Sequence, residues 1–124
     1  MDEVSAKVRC WLKAQGVGRE DFVQIHLPRG AEIIVSMIGV WKASAAFVTC
    51  EQGMPQDRVA FIRKDCGCKV VIDSEAWASI LQCTPLHGWD EVDEHDAAFA
   101  VYTSGTMGTP KGVLHEYGKL KYVW

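Results

Sequence analysis

The sequence predicts an α/β fold in three layers, a mainly parallel sheet with helices on both faces. Three observations carry that prediction. Segments with helical apolar spacing alternate with short apolar runs, in the order helix, strand–helix repeated, strand. The short runs are apolar on both sides, as strands covered by two helix layers are. Gly16, Pro28-Arg29-Gly30 and Pro55 punctuate the alternation.

The elements follow in order. Val4, Val8, Trp11 and Leu12 recur at helical spacing, and Gly16 is the expected stop. Phe22-Val23-Gln24-Ile25-His26-Leu27 alternates as a strand does. Residues 31–43 read as a largely apolar helix carrying Ile33, Ile34, Met37, Ile38, Val40 and Trp41. Ala45-Ala46-Phe47-Val48-Thr49-Cys50 is the second strand. Pro55 is expected as the first helical residue, where its missing N–H costs nothing. The helix it opens holds Val59, Phe61 and Ile62 and ends near Gly67. Lys69-Val70-Val71-Ile72-Asp73 is the third strand. Ser74 is the expected N-cap of a helix reaching Gln82, with Glu75 favoured by the helix dipole. Residues 84–96 read as an irregular acidic connection. Ala97-Ala98-Phe99-Ala100-Val101-Tyr102 is the fourth strand, and it runs straight into a hydroxyl-rich loop.

Composition narrows the function classes. The chain has 124 residues, 48% of them hydrophobic, which suits one soluble domain or part of one. Net charge is -3, so neither nucleic acid nor an anionic membrane is an expected partner. No run approaches the roughly 18 apolar residues of a membrane span. Met1-Asp2-Glu3-Val4 has neither the basic start nor the apolar stretch of a signal peptide, so a cytoplasmic setting is expected. Cys10, Cys50, Cys66, Cys68 and Cys83 form no C-x-x-C pair. They read as reduced thiols, several buried as small apolar side chains.

The chemistry concentrates in Tyr102-Thr103-Ser104-Gly105-Thr106-Met107-Gly108-Thr109-Pro110-Lys111-Gly112-Val113. In open parallel sheets, ligands sit beyond the carboxyl ends of the strands. Glycines there let a ligand approach the backbone. Backbone N–H groups and hydroxyls can donate to phosphate oxygens, and Lys111 adds a positive charge. The standard P-loop, G-x-x-x-x-G-K-[ST], fails at two places: counted from Gly105, Pro110 stands at the second glycine and Gly112 follows the lysine. On composition alone, a polar surface hairpin built from turn formers is the competing reading.

These residues resemble the signature phosphate loop of the ATP-dependent adenylate-forming enzymes, Y-T-S-G-T-T-G-x-P-K-G-V. That superfamily comprises the acyl-CoA synthetases, the luciferases and the adenylation domains of nonribosomal peptide synthetases. A second stretch agrees. Trp41-Lys42-Ala43-Ser44-Ala45-Ala46-Phe47-Val48, with Pro55 and Arg58 after it, resembles the adenylation-domain pattern L-K-A-G-x-A-Y-V-P-x-D followed by Y-P-x-x-R. Residues 12–28 resemble the family's opening helix and strand. The likeness therefore covers essentially the whole chain and is nearest to the amino-acid-activating branch.

The resemblance implies an enzyme that joins a carboxylate, here an amino acid, to ATP. Acyl-AMP and pyrophosphate form, and the acyl group then passes to a thiol of CoA or of a carrier protein's phosphopantetheine. Mg2+ accompanies ATP. By position, Thr103, Ser104, Gly105, Thr106, Gly108, Thr109 and Lys111 map onto the triphosphate-binding loop. Three departures stand out: Met107 for a threonine, Ser44 for a glycine and Thr49 for a proline. The family's acyl pocket, magnesium acid, ribose-binding aspartate and late catalytic lysine all lie downstream of the loop. Residues 1–124 are thus expected to be one partial N-terminal piece of an adenylation domain, with no catalytic residue of its own.

Other clusters have plainer readings. Asp90, Glu91, Asp93, Glu94 and Asp96, flanked by His87 and His95, read as a solvated connection rather than a metal site. His115 follows the loop closely enough to face a nucleotide, though such a residue is more often simply a polar group at the surface. His26 reads as a satisfied strand residue, Arg29 as a solvated loop arginine, and Trp11, Trp41 and Trp77 as packing residues. Two alternatives to the fragment reading remain. One is a non-catalytic interaction protein that pairs with itself through an exposed apolar face. The other is a self-contained nucleotide-binding protein.

Overall fold

The computed structural model describes residues 2–28, 30–50, 52–104 and 110–120. The elements run α1 (Asp2–Ala14), β1 (Phe22–Ile25), α2 (Ala31–Lys42), β2 (Ala46–Thr49), α3 (Gln56–Cys66), β3 (Cys68–Ile72), α4 (Ser74–Leu81), β4 (Ala97–Ser104), β5 (Pro110–Glu116) and α5 (Tyr117–Leu120). They form one sheet in the order β3-β1-β2-β4-β5. The first four strands are parallel and β5 is antiparallel to β4. The expected mainly parallel, helix-covered sheet is therefore present. The antiparallel fifth strand agrees with the hairpin reading of this stretch, although Pro110 and Gly112 hide its alternation.

The period-2 alternation of the strands sorts their side chains onto two faces. Val23, Ile25, Phe47, Ile72 and Phe99 meet Val8, Leu12, Val35, Val40 and Ile80 from α1, α2 and α4. On the opposite face Val48 and Ala100 meet Val59 and Ile62 of α3. A register shift beside Phe22 pairs Phe22 with Cys68 and Val23 with Val70. It expels Lys69, whose ammonium turns outward to donate to the Gly16 carbonyl at 2.8 Å.

Local chemistry fixes the ends of the elements. Asp73, not Ser74, caps α4: its carboxylate accepts from the Ala76 N–H at 2.8 Å. Pro55 stands one place earlier than expected, at the N-cap of α3, and left-handed Gly67 closes that helix. Helices α1 and α2 approach so closely that a Cβ on Gly39 would stand 2.4 Å from Val8. All five cysteines are free thiols, as expected. Among the described residues no helix is long and apolar enough to cross a membrane.

Candidate functional site

Strands β4 and β5 pair antiparallel, with Thr103 and Ser104 at the carboxyl end of β4. Their last described cross-strand pairs are Thr103 with Lys111 and Ser104 with Pro110. Gly105, Thr106, Gly108 and Thr109, with Met107 among them, lie outside the described residues. The candidate loop is thus the connection between two paired strands. It joins them where the register sets the backbones of Thr103 and Lys111 opposite each other.

The next pair inward is Tyr102 with Gly112. A Cβ on Gly112 would stand 2.7 Å from the Tyr102 ring. The glycine after Lys111 thereby has a physical reason: the tyrosine that opens the signature lies across it. The Tyr102 hydroxyl then donates to the Asp65 carboxylate at 2.7 Å. Burial first, and that carboxylate second, push the phenol well above its ordinary pKa, so Tyr102 stays a neutral donor.

The Trp41–Ser44 stretch positions the connection that feeds β4. Trp41 Nε1 donates to the Ala98 carbonyl at 2.9 Å, and Asp90 N–H donates to the Lys42 carbonyl at 2.8 Å. Buried Lys42 donates to Ser5 Oγ at 2.8 Å and lies 5.6 Å from the centre of the Trp89 ring. Ser44 adopts φ 63° after the end of α2, a left-handed conformation that suits glycine, and its hydroxyl donates to the Glu91 carbonyl at 2.8 Å. The serine that departs from the family pattern therefore keeps the glycine's backbone and adds a tether.

The acidic connection is strapped to the fold by ion pairs. Asp90 accepts from Arg9 at 2.5 Å and from Lys13 at 2.7 Å. Burial pushes the pKa of Asp90 up, but those two cations outweigh it and hold the group below the usual carboxylate range. Asp96 is buried, accepts twice from Arg19 and takes the Asp93 N–H at 2.9 Å. Among the described residues no group of three or more His, Cys, Asp or Glu side chains could hold a metal ion. These partners were not legible in the sequence, since the arginines and the lysine come from the opposite end of the chain.

His115 and His26 are held structurally. His115 stacks on Phe99 at 4.5 Å, continuing an aromatic row from Trp41 through Phe47. His26, just beyond β1, points Nδ1 at the Cys50 carbonyl at 3.2 Å, which makes Nδ1 the protonated nitrogen. Beside it a cleft of ≈ 240 Å³ is lined by His26, Gln56, Val59, Ala60 and Arg63. Buried Gln24 supports that cleft: it accepts from Arg63 Nε at 2.9 Å and donates to the Val59 carbonyl at 2.9 Å. Trp89 is exposed. Arg29 and Trp124 lie outside the described residues.

Comparison with known proteins agrees with this architecture. The family model described as AMP-binding enzyme matches residues 1–90, ending before the hairpin. Surfactin synthase subunit 2 of Bacillus subtilis (strain 168) is 34% identical over 97% of this chain and 4% of its own length. The nonribosomal peptide synthetase apmB of Penicillium brevicompactum is 32% identical over 93% of this chain and 6% of its own. Among solved structures, the inhibitor-bound N-terminal domain of FACL13 from Mycobacterium tuberculosis superposes with a TM-score of 0.84 at 24% identity, covering 96% of this chain and 37% of that one. The Klebsiella oxytoca NpsA N-terminal subdomain, in complex with 3-hydroxyanthranilyl-AMSN, gives 0.79 at 23% identity, over 93% of this chain and 32% of that one. The five-stranded, mainly parallel sheet is that of the N-terminal part of adenylate-forming enzymes. The chain belongs to the AMP-binding enzyme family, and it spans 4% and 6% of the lengths of these two curated relatives.

Proposed function

We propose that residues 1–124 are a single, partial N-terminal piece of an adenylation domain, and that the β4–β5 connection is its triphosphate loop. The intact protein would be an ATP-dependent ligase. It would join a small carboxylate, an amino acid by its kinship with peptide synthetases, to ATP, and then pass the acyl group to CoA or to the phosphopantetheine of a carrier protein. The observation that carries the loop assignment is the hairpin register, which sets Thr103 and Lys111 opposite each other at the carboxyl end of β4, on either side of the signature loop.

The residues fit the nucleotide chemically. Thr103, Ser104, Thr106 and Thr109 carry hydroxyls, Gly105 and Gly108 have no side chain to shield their backbone N–H groups, and Lys111 brings one positive charge. Together they would hold the β- and γ-phosphates and offset their charge. ATP, with its Mg2+, supplies the activated α-phosphorus that the carboxylate attacks. This chain's share is positioning and charge stabilisation, which lower the barrier without covalent participation. No catalytic residue is assigned within residues 1–124.

Backbone amide mapping by NMR during a Mg-ATP titration tests the assignment. Shifts should concentrate on residues 103–111, with millimolar affinity at most, and Lys111→Ala should weaken them. Shifts elsewhere with the loop unmoved would overturn the loop assignment. Micromolar binding with turnover by the 124-residue chain would overturn the partial-domain reading.

A further inference from the structure

Three cysteines gather on the α3 face of the sheet, and the proposed nucleotide chemistry uses none of them. Cys66 ends α3, Cys68 begins β3 and Cys50 follows β2. All three belong to the cluster formed by Val48, Val59, Ile62 and Ala100, with Tyr102 packed against it. Gly67 adopts φ 70° and ψ 39°, and this left-handed turn brings the thiols flanking it to one side. Both side chains pack against the same cluster, so the two thiols lie as neighbours on one side of the turn. Cys66 is half-buried and lines a cleft of ≈ 240 Å³ with Asp65, Tyr102, Gly112 and Leu114, so a small molecule can reach it.

We propose that Cys66 and Cys68 form a thiol–disulfide exchange site that reacts with low-molecular-weight disulfides of the glutathione class, Cys66 being the attacking thiol and Cys68 the resolving one.

The asymmetry between the two thiols follows from their surroundings. The neighbouring Cys68 thiol draws the Cys66 pKa down against burial and the Asp65 charge. Cys68 is driven up, by the neighbouring Cys66 and then by burial. Burial likewise raises buried Cys50, which takes a hydrogen bond from Gln24 Nε2 at 3.3 Å. Cys66 is the thiol that lines the cleft, so it meets the small disulfide first, reacting as the thiolate. Its sulfur attacks one sulfur of the small disulfide, whose S–S bond breaks. A mixed disulfide forms and one thiolate leaves. Cys68 then loses its proton and attacks the Cys66 sulfur, displacing the second small thiolate, which ends protonated. The cysteine pair gives up two electrons, and the small disulfide is reduced to two thiols. A bridge spanning only Gly67 is a short loop, of the kind that is readily reduced again. Tyr102, which lines the same cleft, immediately precedes Thr103, but the site rests on the thiol geometry and not on the nucleotide assignment.

The test uses the full 124-residue chain, oxidised glutathione, an acid quench with N-ethylmaleimide and trypsin. Cleavage after Lys64 and Lys69 releases residues 65–69, which carry both cysteines on one peptide. That peptide should be recovered lacking two hydrogens and without maleimide, while Cys10, Cys50 and Cys83 are alkylated after denaturation. Cys68→Ser should trap glutathione on Cys66 at least about tenfold faster than Cys66→Ser traps it on Cys68. Recovery of the peptide with two maleimides, or with glutathione on both sulfurs, would overturn the site. Equal trapping rates in the two variants would overturn the assignment of roles. The wild-type peptide decides the first point even if a variant fails to fold.

Discussion

Arg19 and Asp96, 77 positions apart in the chain, meet through two parallel hydrogen bonds: Nε to Oδ2 at 2.7 Å and Nη2 to Oδ1 at 3.0 Å. The same Asp96 accepts the Tyr117 N–H on its carbonyl at 3.0 Å. One residue therefore ties the turn after α1 to both sides of the hairpin base, and so sets where β4 enters the sheet.

The pair predicts a definite acid response. The Arg19 guanidinium first, and the Asp93 N–H next, hold Asp96 down to about 2. An unfolded aspartate titrates near 3.9. The stability that Asp96 contributes is thus fully present above about pH 5 and is lost as pH falls through about 2. Urea midpoints measured between pH 6 and pH 2 should fall over that window. In Asp96→Asn the midpoint should be lower at pH 6 and the fall shallower. An unchanged slope would remove Asp96 from the account.

Gly39 predicts a steric limit between α1 and α2. A methyl group there would stand 2.4 Å from both Val8 Cβ and Val8 Cγ1, and 3.0 Å from the Ser5 carbonyl. Overpacking of this kind costs about 1–3 kcal/mol. Gly39→Ala should lose that much in denaturant unfolding, although alanine is the better helix former. A gain in stability would show that the helices can separate freely.

Ser44 predicts an ordering of two variants. Ser44→Ala keeps the left-handed backbone and loses the bond to the Glu91 carbonyl. Ser44→Gly loses the same bond but relieves a conformation that costs other residues about 1 kcal/mol. The glycine variant should therefore be the more stable of the two by about that amount, measured by thermal unfolding.

Gly112 predicts the role of Tyr102. Gly112→Ala should displace the tyrosine ring and cost about 1–3 kcal/mol by overpacking. Tyr102→Phe should cost only about 1 kcal/mol, the net worth of its bond to Asp65. Amide shifts at Thr103 and Lys111 should move in the first variant and stay close to wild type in the second.

Much of this protein is legible in the sequence. Val48 and Ile72 announce strands because burial on two faces leaves apolar runs, and Val23 and Ile25 do so by alternating with Gln24 and His26. The helices announce themselves through the spacing of Val8, Leu12, Val35 and Val40. The stretch from Tyr102 to Val113 resembles the family's signature loop, and that resemblance is legible from the sequence alone. The ends of elements were less legible. Asp73 and Ser74 are both good caps, and only the bond to Ala76 chooses between them.

What tertiary structure alone decided are relationships between distant residues. The turn formers near Pro110 allow a hairpin, but that residues 110–116 pair as a fifth strand depends on the partner β4 and not on local propensity. Nothing near Asp96 points to Arg19, nor near Ser44 to Glu91. Gly112 looks like a turn residue until the Tyr102 ring is seen across it. Sequence patterns record what each segment must bury or expose. Ion pairs, close approaches and strand neighbours arise only when the fold brings segments together, and here they position strands β4 and β5.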